Sequence, residues 1–152
     1  MTKNYPSKLL ELLQYGLIDE AQELLSQGTD INAGILGFRP IYAAIHSDDP
    51  NVLQFVVDNG ADVNIDEGTP LLEILDYCID GMIQAERIEP YPEALRMLQI
   101  LLDNGADPFL KNVEGHRPID VLTEYAASKE RTLSRLINLF ESYIPNLRDL
   151  LS

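Results

Sequence analysis

The chain contains few of the residues that disulfides, metal sites and membrane spans require. It has one cysteine, Cys78, two histidines and no tryptophan, and no stretch approaches the roughly 20 consecutive apolar residues of a membrane-spanning helix. One cysteine can form neither an internal disulfide nor a zinc site by itself, which favours a reducing compartment. We expect its side chain to be buried as a small apolar group. Because the first residues lack the apolar segment of a secretory signal, the sequence predicts a cytoplasmic protein.

Basic residues are scarce as well. The chain has 11 Lys and Arg against 25 Asp and Glu, a formal net charge of -14. The imbalance is concentrated between Pro40 and Leu95, where twelve acidic residues face one basic residue, Arg87. Such a charge repels nucleic acid and anionic membranes and attracts basic proteins. We therefore expect a basic protein partner, no nucleic acid and no membrane, although an acidic surface kept for solubility would explain the same composition.

The sequence also lacks the short motifs of common enzymes. It has no glycine-rich nucleotide loop, no His-Glu-x-x-His and no Gly-x-Ser-x-Gly. We expect His46 and His116 to be surface residues rather than ligands or bases. The carboxylate pairs 48–49 and 66–67 do not have the alternating spacing of a calcium loop and fit helix caps and turns better. We predict no enzyme activity, no cofactor and no metal.

An internal repeat is what the chain does have. The segments 27–32, 59–64 and 104–109 each carry Gly, one residue and then Asp, and each follows a pair of bulky apolar residues. Glycine after an apolar helical stretch is typical of a helix C-terminus. A second landmark, Gly-x-x-Pro-Ile, occurs at 37–41 and 115–119, with Thr-Pro-Leu as a trimmed version. Proline in a first turn loses no backbone donor, so these segments predict helix starts.

Together the two landmarks resemble the ankyrin repeat. The interval from Gly28 to Gly60 is 32 residues, close to the family period of about 33. The next interval, from Gly60 to Gly105, is 45 residues. Within it, the loop before Pro70 is three residues shorter than the family pattern, and the stretch from Pro70 to Gly105 spans 35 residues instead of 20, which indicates an insertion of fifteen residues near 80–91. The resemblance implies an all-α solenoid of about four helix pairs in a single domain, 1–152. The predicted units are 7–32, 33–64, 65–109 with the insertion, and 110–145.

Each unit is predicted as two helices, because one pair cannot bury its own apolar face without a neighbour. The predicted helices are 7–15 and 18–26, 40–47 and 50–59, 70–84 and 92–104, and 118–127 and 129–143. The chain departs from the family where Tyr42, Leu72 and Asp120 replace a histidine that ties successive loops together. Arg39 and Arg117 also stand where the family has threonine. These departures make the loop geometry the least predictable part.

The resemblance implies that partners meet the projecting loops and the exposed side of the first helix in each pair. The corresponding residues, our candidate partner-binding set, are Ile35, Leu36, Phe38, His46, Asp66, Glu67, Asp76, Tyr77, Val113, Glu114, His116, Glu124 and Tyr125. Bulky apolar residues beside carboxylates and tyrosines are typical of a binding hot spot.

Two parts of this set have a second interpretation. The apolar cluster 35–38 either stays exposed for a partner or folds back and is buried against the first unit. The apolar residues of the insertion, which include Met82 and Tyr91, either pack on the helices or remain for a partner.

The leading hypothesis is a protein-binding module that captures a basic partner through an acidic concave face. Its most specific form is an immunity or antitoxin-like inhibitor that masks a toxin. The alternative in the same class is a scaffold or regulatory subunit of a cytoplasmic enzyme. The alternative from another class is a metal-dependent hydrolase that uses the acidic insertion. We expect a monomer when no partner is bound.

Overall fold

The protein is all-helical. The computed structural model describes residues 6–87 and 89–151, and the side chains of 7–87, 89–124 and 134–149. Over these residues no strand forms, and the single β-bridge joins Ile35 to Phe38. The helices are α1 (Pro6–Gln14), α2 (Ile18–Ser26), α3 (Pro40–His46), α4 (Pro50–Asp58), α5 (Ile65–Gln84), α6 (Pro92–Asp103), α7 (Pro118–Glu141) and α8 (Leu147–Leu151). They fall into two compact units, Met1–Val63 and Asn64–Ser152.

In the first unit, α3 is the central helix and packs against α1 and α4. Its residues from Pro40 to Ile45 are all buried, as expected for a short helix with neighbours on two sides. Proline opens both α3 and α4, in the first turn. Asp49 caps α4, since its Oδ1 accepts a hydrogen bond from the Asn51 N–H at 2.9 Å. The carboxylate pair 48–49 thus includes a helix cap, as predicted.

In the second unit, α5 packs against α6 and α7, and α7 packs against α8. Regular helical geometry in α5 begins close to Pro70, the predicted start, although the element as a whole spans Ile65–Gln84. The preceding residues Asp66, Glu67 and Gly68 have φ angles of 52°, 53° and 84° and form a left-handed turn rather than helix. Cys78 is fully buried on α5, as predicted, and burial raises the pKa of its thiol to about 12.

The predicted helix ends are built alike in both units. Gly60 and Gly105 have φ angles of 96° and 91°, a conformation that costs glycine little. The next residue of each loop bonds back to the helix: the Ala61 N–H donates to the Val56 carbonyl and the Ala106 N–H to the Leu101 carbonyl, each at 3.0 Å. This is the Schellman pattern, which satisfies the last carbonyls of a helix.

An asparagine side chain ties each pair of successive loops within a unit. Asn32 Oδ1 accepts from the Asp62 N–H at 2.8 Å, and its Nδ2 donates to the Gly60 carbonyl at 3.4 Å. Asn64 repeats this arrangement, accepting from the Asp107 N–H at 2.8 Å and donating to the Gly105 carbonyl at 3.0 Å. We call these contacts the asparagine bridges. They tie successive loops together, which is the role that the resemblance implies for a histidine.

The fourth predicted helix pair is wrong. Residues 118–127 and 129–143 were predicted as two helices, whereas α7 runs without a break from Pro118 to Glu141. No glycine or proline lies inside this stretch, and its central residues, Ala126 to Glu130, are mostly strong helix formers. Nothing in the local sequence therefore ends the helix. It ends before Pro145, and the short α8 follows it.

We predict that Thr29→Ala stabilises the protein by about 1 kcal/mol. Thr29 is 5% exposed and its hydroxyl oxygen is buried without a hydrogen-bond partner, so folding desolvates a polar atom without compensation. The equivalent positions hold Ala61 and Ala106, both buried. Urea unfolding measures the effect, with Ala61→Thr as the reverse substitution, expected to destabilise. A loss of stability in Thr29→Ala would contradict the prediction.

Candidate functional site

The first candidate surface is a tight hairpin in the first unit, Ile35–Phe38. Ile35 and Phe38 exchange two backbone hydrogen bonds of 2.9 Å. The central residues Leu36 and Gly37 have φ angles of 53° and 82°, as in a type I′ turn. Asn, Asp or Gly normally occupies the first central position, because a left-handed conformation costs other residues about 1–2 kcal/mol. The chain therefore holds a leucine in a strained position.

The apolar side chains of this hairpin are divided between solvent and α3. Leu36 is fully exposed and Ile35 is 41% exposed, so the interpretation that the cluster is buried against the predicted unit 7–32 is wrong for these two residues. Phe38 is half-buried. Its ring lies 5.5 Å from the exposed His46 ring and 6.5 Å from the Tyr42 ring, centroid to centroid. The aromatic contacts hold the hairpin base on α3 and leave the tip free.

A second hairpin, Asn112–His116, projects from the second unit. The Asn112 N–H donates to the His116 carbonyl at 2.9 Å, and Asn112 Oδ1 accepts from the Glu114 and His116 N–H groups. Gly115 supplies the left-handed residue that a three-residue hairpin loop needs. Val113 at the tip is 87% exposed. His116 Nδ1 lies 3.6 Å from Glu114 Oε2, and both side chains are exposed.

This second hairpin closes one side of an acidic groove of about 370 Å³. The other sides are α5 and the start of α7. The residues that line the groove are Thr69, Leu72, Glu73, Asp76, Asn112, Glu114, His116, Arg117, Asp120, Val121 and Glu124. They include five carboxylates and one guanidinium. The acidic groove is therefore strongly negative and suited to a cationic group.

The one guanidinium among the groove residues belongs to Arg117, and it pairs with Asp120 at the edge of the groove. Arg117 Nη2 lies 2.7 Å from Asp120 Oδ1, and the Arg117 backbone N–H donates to Asp120 Oδ2 at 3.0 Å. These bonds cap the start of α7. The hydrogen bond from Arg117 lowers the pKa of Asp120. Asp120 thus has a local capping role.

Asp76 is in a different electrostatic position. Partial burial raises the pKa of its carboxyl, and the nearby Asp80 raises it further. A nearby cation stabilises the charged form of a carboxyl group that neighbouring acidic groups destabilise. We therefore expect a basic group in the acidic groove to interact favourably with Asp76.

The structure brings together part of the predicted set. Four residues, Asp76, Glu114, His116 and Glu124, line the acidic groove. Of the others in the second unit, Val113 lies at the hairpin tip, Asp66 and Glu67 form the left-handed turn, and Tyr77 lines a separate pocket. The side chain of Tyr125 lies outside the described residues.

Sequence reasoning missed three charged members of the groove, Glu73, Arg117 and Asp120. Helix spacing could have identified two of them. Glu73 lies three residues before Asp76, and Asp120 lies four before Glu124. Residues at these intervals share one face of a helix.

The insertion forms the separate pocket. It extends α5 to Gln84 and returns through Tyr91, whose ring packs so closely on Gly81 that a Cβ there would come within 2.9 Å of ring atoms. Arg87 lies over the same ring, with its Cζ 4.4 Å from the centroid, and its Nε donates to the Glu89 carbonyl. Met82 is fully buried. The apolar part of the insertion is thus divided, with Met82 in the core and Tyr91 partly exposed.

Two further observations concern the described residues as a whole. No three His, Cys, Asp or Glu side chains among them converge as a metal site requires. No helix in the described part of the chain is both long and apolar enough to cross a membrane.

Comparison with known proteins gives a weak similarity to part of a longer protein. No family model matches the chain. A curated relative, a mitochondrial disaggregase from Bos taurus, is 28% identical over an alignment of 141 residues, and the match covers 76% of this chain and 21% of the relative. The chain thus spans about a fifth of the length of the curated relative it matches.

Proposed function

We propose that the protein is a divergent ankyrin-repeat module that binds a basic protein through the acidic groove. The observation that carries the proposal is the composition of that groove, five carboxylates with one guanidinium. Arg117 is already engaged by Asp120, so the lining as a whole keeps an excess of negative charge. A basic side chain or helix end from a partner would neutralise it.

The asparagine bridges and the shared helix ends support the ankyrin part of the proposal. The same loop geometry recurs after α4 and after α6, with left-handed glycines at equivalent places. Projecting hairpins precede α3 and α7, where a repeat protein presents its binding residues. The match to about a fifth of a longer protein is also what a module reused in different architectures would give.

The exposed leucine of the first hairpin supports a protein partner rather than a small molecule. Leu36 is fully exposed and has a positive φ, so its side chain contributes no burial to the stability of the folded chain. An exposed apolar side chain at the tip of a hairpin can fill a pocket on another protein. The more specific form of the proposal is neutralisation of a basic toxin, and regulation of a cytoplasmic enzyme is the alternative.

The proposal is tested by affinity capture from the cells that produce the protein, at low and moderate salt. We expect the immobilised chain to retain a basic protein and to lose it as salt rises, because salt screens exposed charges. Replacing Glu73 and Glu124 with Gln and Asp76 with Asn should lower the amount retained by about tenfold. An assay of the captured protein with and without the chain then distinguishes inhibition from scaffolding.

A charge-matched variant is the control. Replacing Glu11 and Glu20 with Gln and Asp19 with Asn removes the same charge from exposed positions in the first unit. This variant should retain the partner as the natural chain does. Equal losses in both variants, or retention of acidic proteins without salt dependence, would argue against the acidic groove as the binding site.

A further inference from the structure

The second pocket has a chemistry of its own. It is an open surface pocket of about 400 Å³, lined by Tyr77, Asp80, Gly81, Gln84, Ala85 and Tyr91. We call it the tyrosine pocket. Tyr77, Asp80 and Gln84 recur every three or four residues along α5 and so share one face, and Tyr91 closes the pocket from the loop before α6. Two aromatic rings and one carboxylate therefore line an open pocket whose volume is in the usual range for a bound group.

The electrostatics of the tyrosine pocket select for positive charge. The face of a tyrosine ring carries negative potential and attracts ammonium and guanidinium groups. Asp80 adds a formal negative charge, and the six lining residues include no basic side chain. The nearest cation of the chain is the Arg87 guanidinium, which lies against the Tyr91 ring. An anion would be repelled, and an uncharged apolar group would leave the Asp80 carboxylate without compensation.

The chain itself shows that one of these rings accepts a cation. The Arg87 guanidinium lies 4.4 Å from the Tyr91 centroid, within the distance at which a cation is attracted to an aromatic face. Gly81 lets this ring pack closely on α5, because a Cβ at position 81 would come within 2.9 Å of ring atoms. The ring is thus held in place by packing before any ligand arrives, which lowers the entropic cost of binding.

We propose that the tyrosine pocket binds a lysine or arginine side chain presented by the partner protein. This inference rests on the proposed function, because it assigns the anchoring residue of the same basic partner. The cationic head lies between the tyrosine rings beside Asp80, and the aliphatic stem packs on the ring edges. The insertion, which has no counterpart in the other repeats, then supplies specificity for an exposed basic side chain.

The test is a titration of the full chain with capped single amino acids, followed by NMR of the tyrosine ring signals. The probes are N-acetyl-lysine amide, N-acetyl-arginine amide and the uncharged N-acetyl-norleucine amide. Lysine or arginine should produce saturable shifts in the Tyr77 and Tyr91 signals, and norleucine should not. Equal shifts with norleucine, or no saturable shift with either cation, would overturn the proposal.

Variants give the second readout. Tyr91→Leu and Asp80→Asn should each weaken binding of the cationic probe by about fivefold to tenfold. Tyr15→Leu, at an exposed tyrosine of the first unit, should leave the affinity unchanged. Asp80→Asn preserves the shape of the side chain. It therefore still tests the proposal if the Tyr91→Leu variant does not fold. Unchanged affinity in Asp80→Asn would contradict the role of the carboxylate.

The two proposals fail separately. Capture of a basic protein that is retained equally by Tyr91→Leu would remove the tyrosine pocket from the interface and leave the acidic groove as the binding site. Saturable binding of the cationic amino acids, in a chain that captures no basic protein, would establish the pocket and argue against the proposed function.

Discussion

Replacing Phe140 with alanine is expected to lower the free energy of unfolding by about 3–5 kcal/mol. Phe140 is fully buried near the end of α7 and is among the largest side chains with no exposure. It lies on the same helix face as the buried residues Leu136 and Ile137. Its removal would leave a cavity that α7 cannot close by a small movement, because both α5 and α8 pack against α7.

Urea unfolding followed by circular dichroism measures this loss. Ser134→Ala is the matched control, because Ser134 is exposed on the same helix and alanine is a good helix former. The control should unfold at the same urea concentration as the natural chain or at a slightly higher one. A loss of no more than about 0.5 kcal/mol in Phe140→Ala, the range usual for surface positions, would mean that the end of α7 is not packed as described.

Asn64→Ala should have the second-largest effect on stability, a loss of about 1–2 kcal/mol. The substitution removes both hydrogen bonds of an asparagine bridge and leaves the Asp107 N–H and the Gly105 carbonyl without their side-chain partner. Both groups are near solvent, so water replaces part of the lost bonding. The loss is therefore smaller than that from a cavity in the core.

Hydrogen exchange gives a local measurement of the same effect. The Asp107 amide should exchange faster in Asn64→Ala, whereas the Asp62 amide, held by Asn32, should be unaffected. Asn64→Asp should keep the acceptor and lose the donor, and so give an intermediate stability. Unchanged exchange at Asp107 in the alanine variant would show that the bridge contributes nothing.

The sequence predicted most helices because their ends carry local signals. Proline opens α3, α4, α6 and α7, and a left-handed glycine follows α2, α4 and α6. These residues act through backbone sterics, which depend little on the rest of the fold. The break predicted within α7 rested on the family pattern alone, with no glycine or proline to support it, and it was the part that failed.

The acidic groove was predicted only in part, because it combines residues from two helices and a hairpin. Local spacing shows that Glu73 and Asp76 share a helix face, but it does not show what lies opposite that face. The left-handed turn at 66–68 was not predicted either. Aspartate and glutamate rarely adopt a positive φ, and the one sign of unusual geometry in the sequence was the shortened interval before Pro70.

Phe109 limits how far the series of tied loops can continue. It occupies the place that Asn32 and Asn64 hold in the earlier loops, and its side chain, partly exposed, cannot form the two bonds of an amide. If one of the chain's own segments were copied and inserted after α6, its loop would therefore lack an asparagine bridge to the loop at 104–109. An engineered longer version would need asparagine at 109 before an added segment could be joined as the natural ones are.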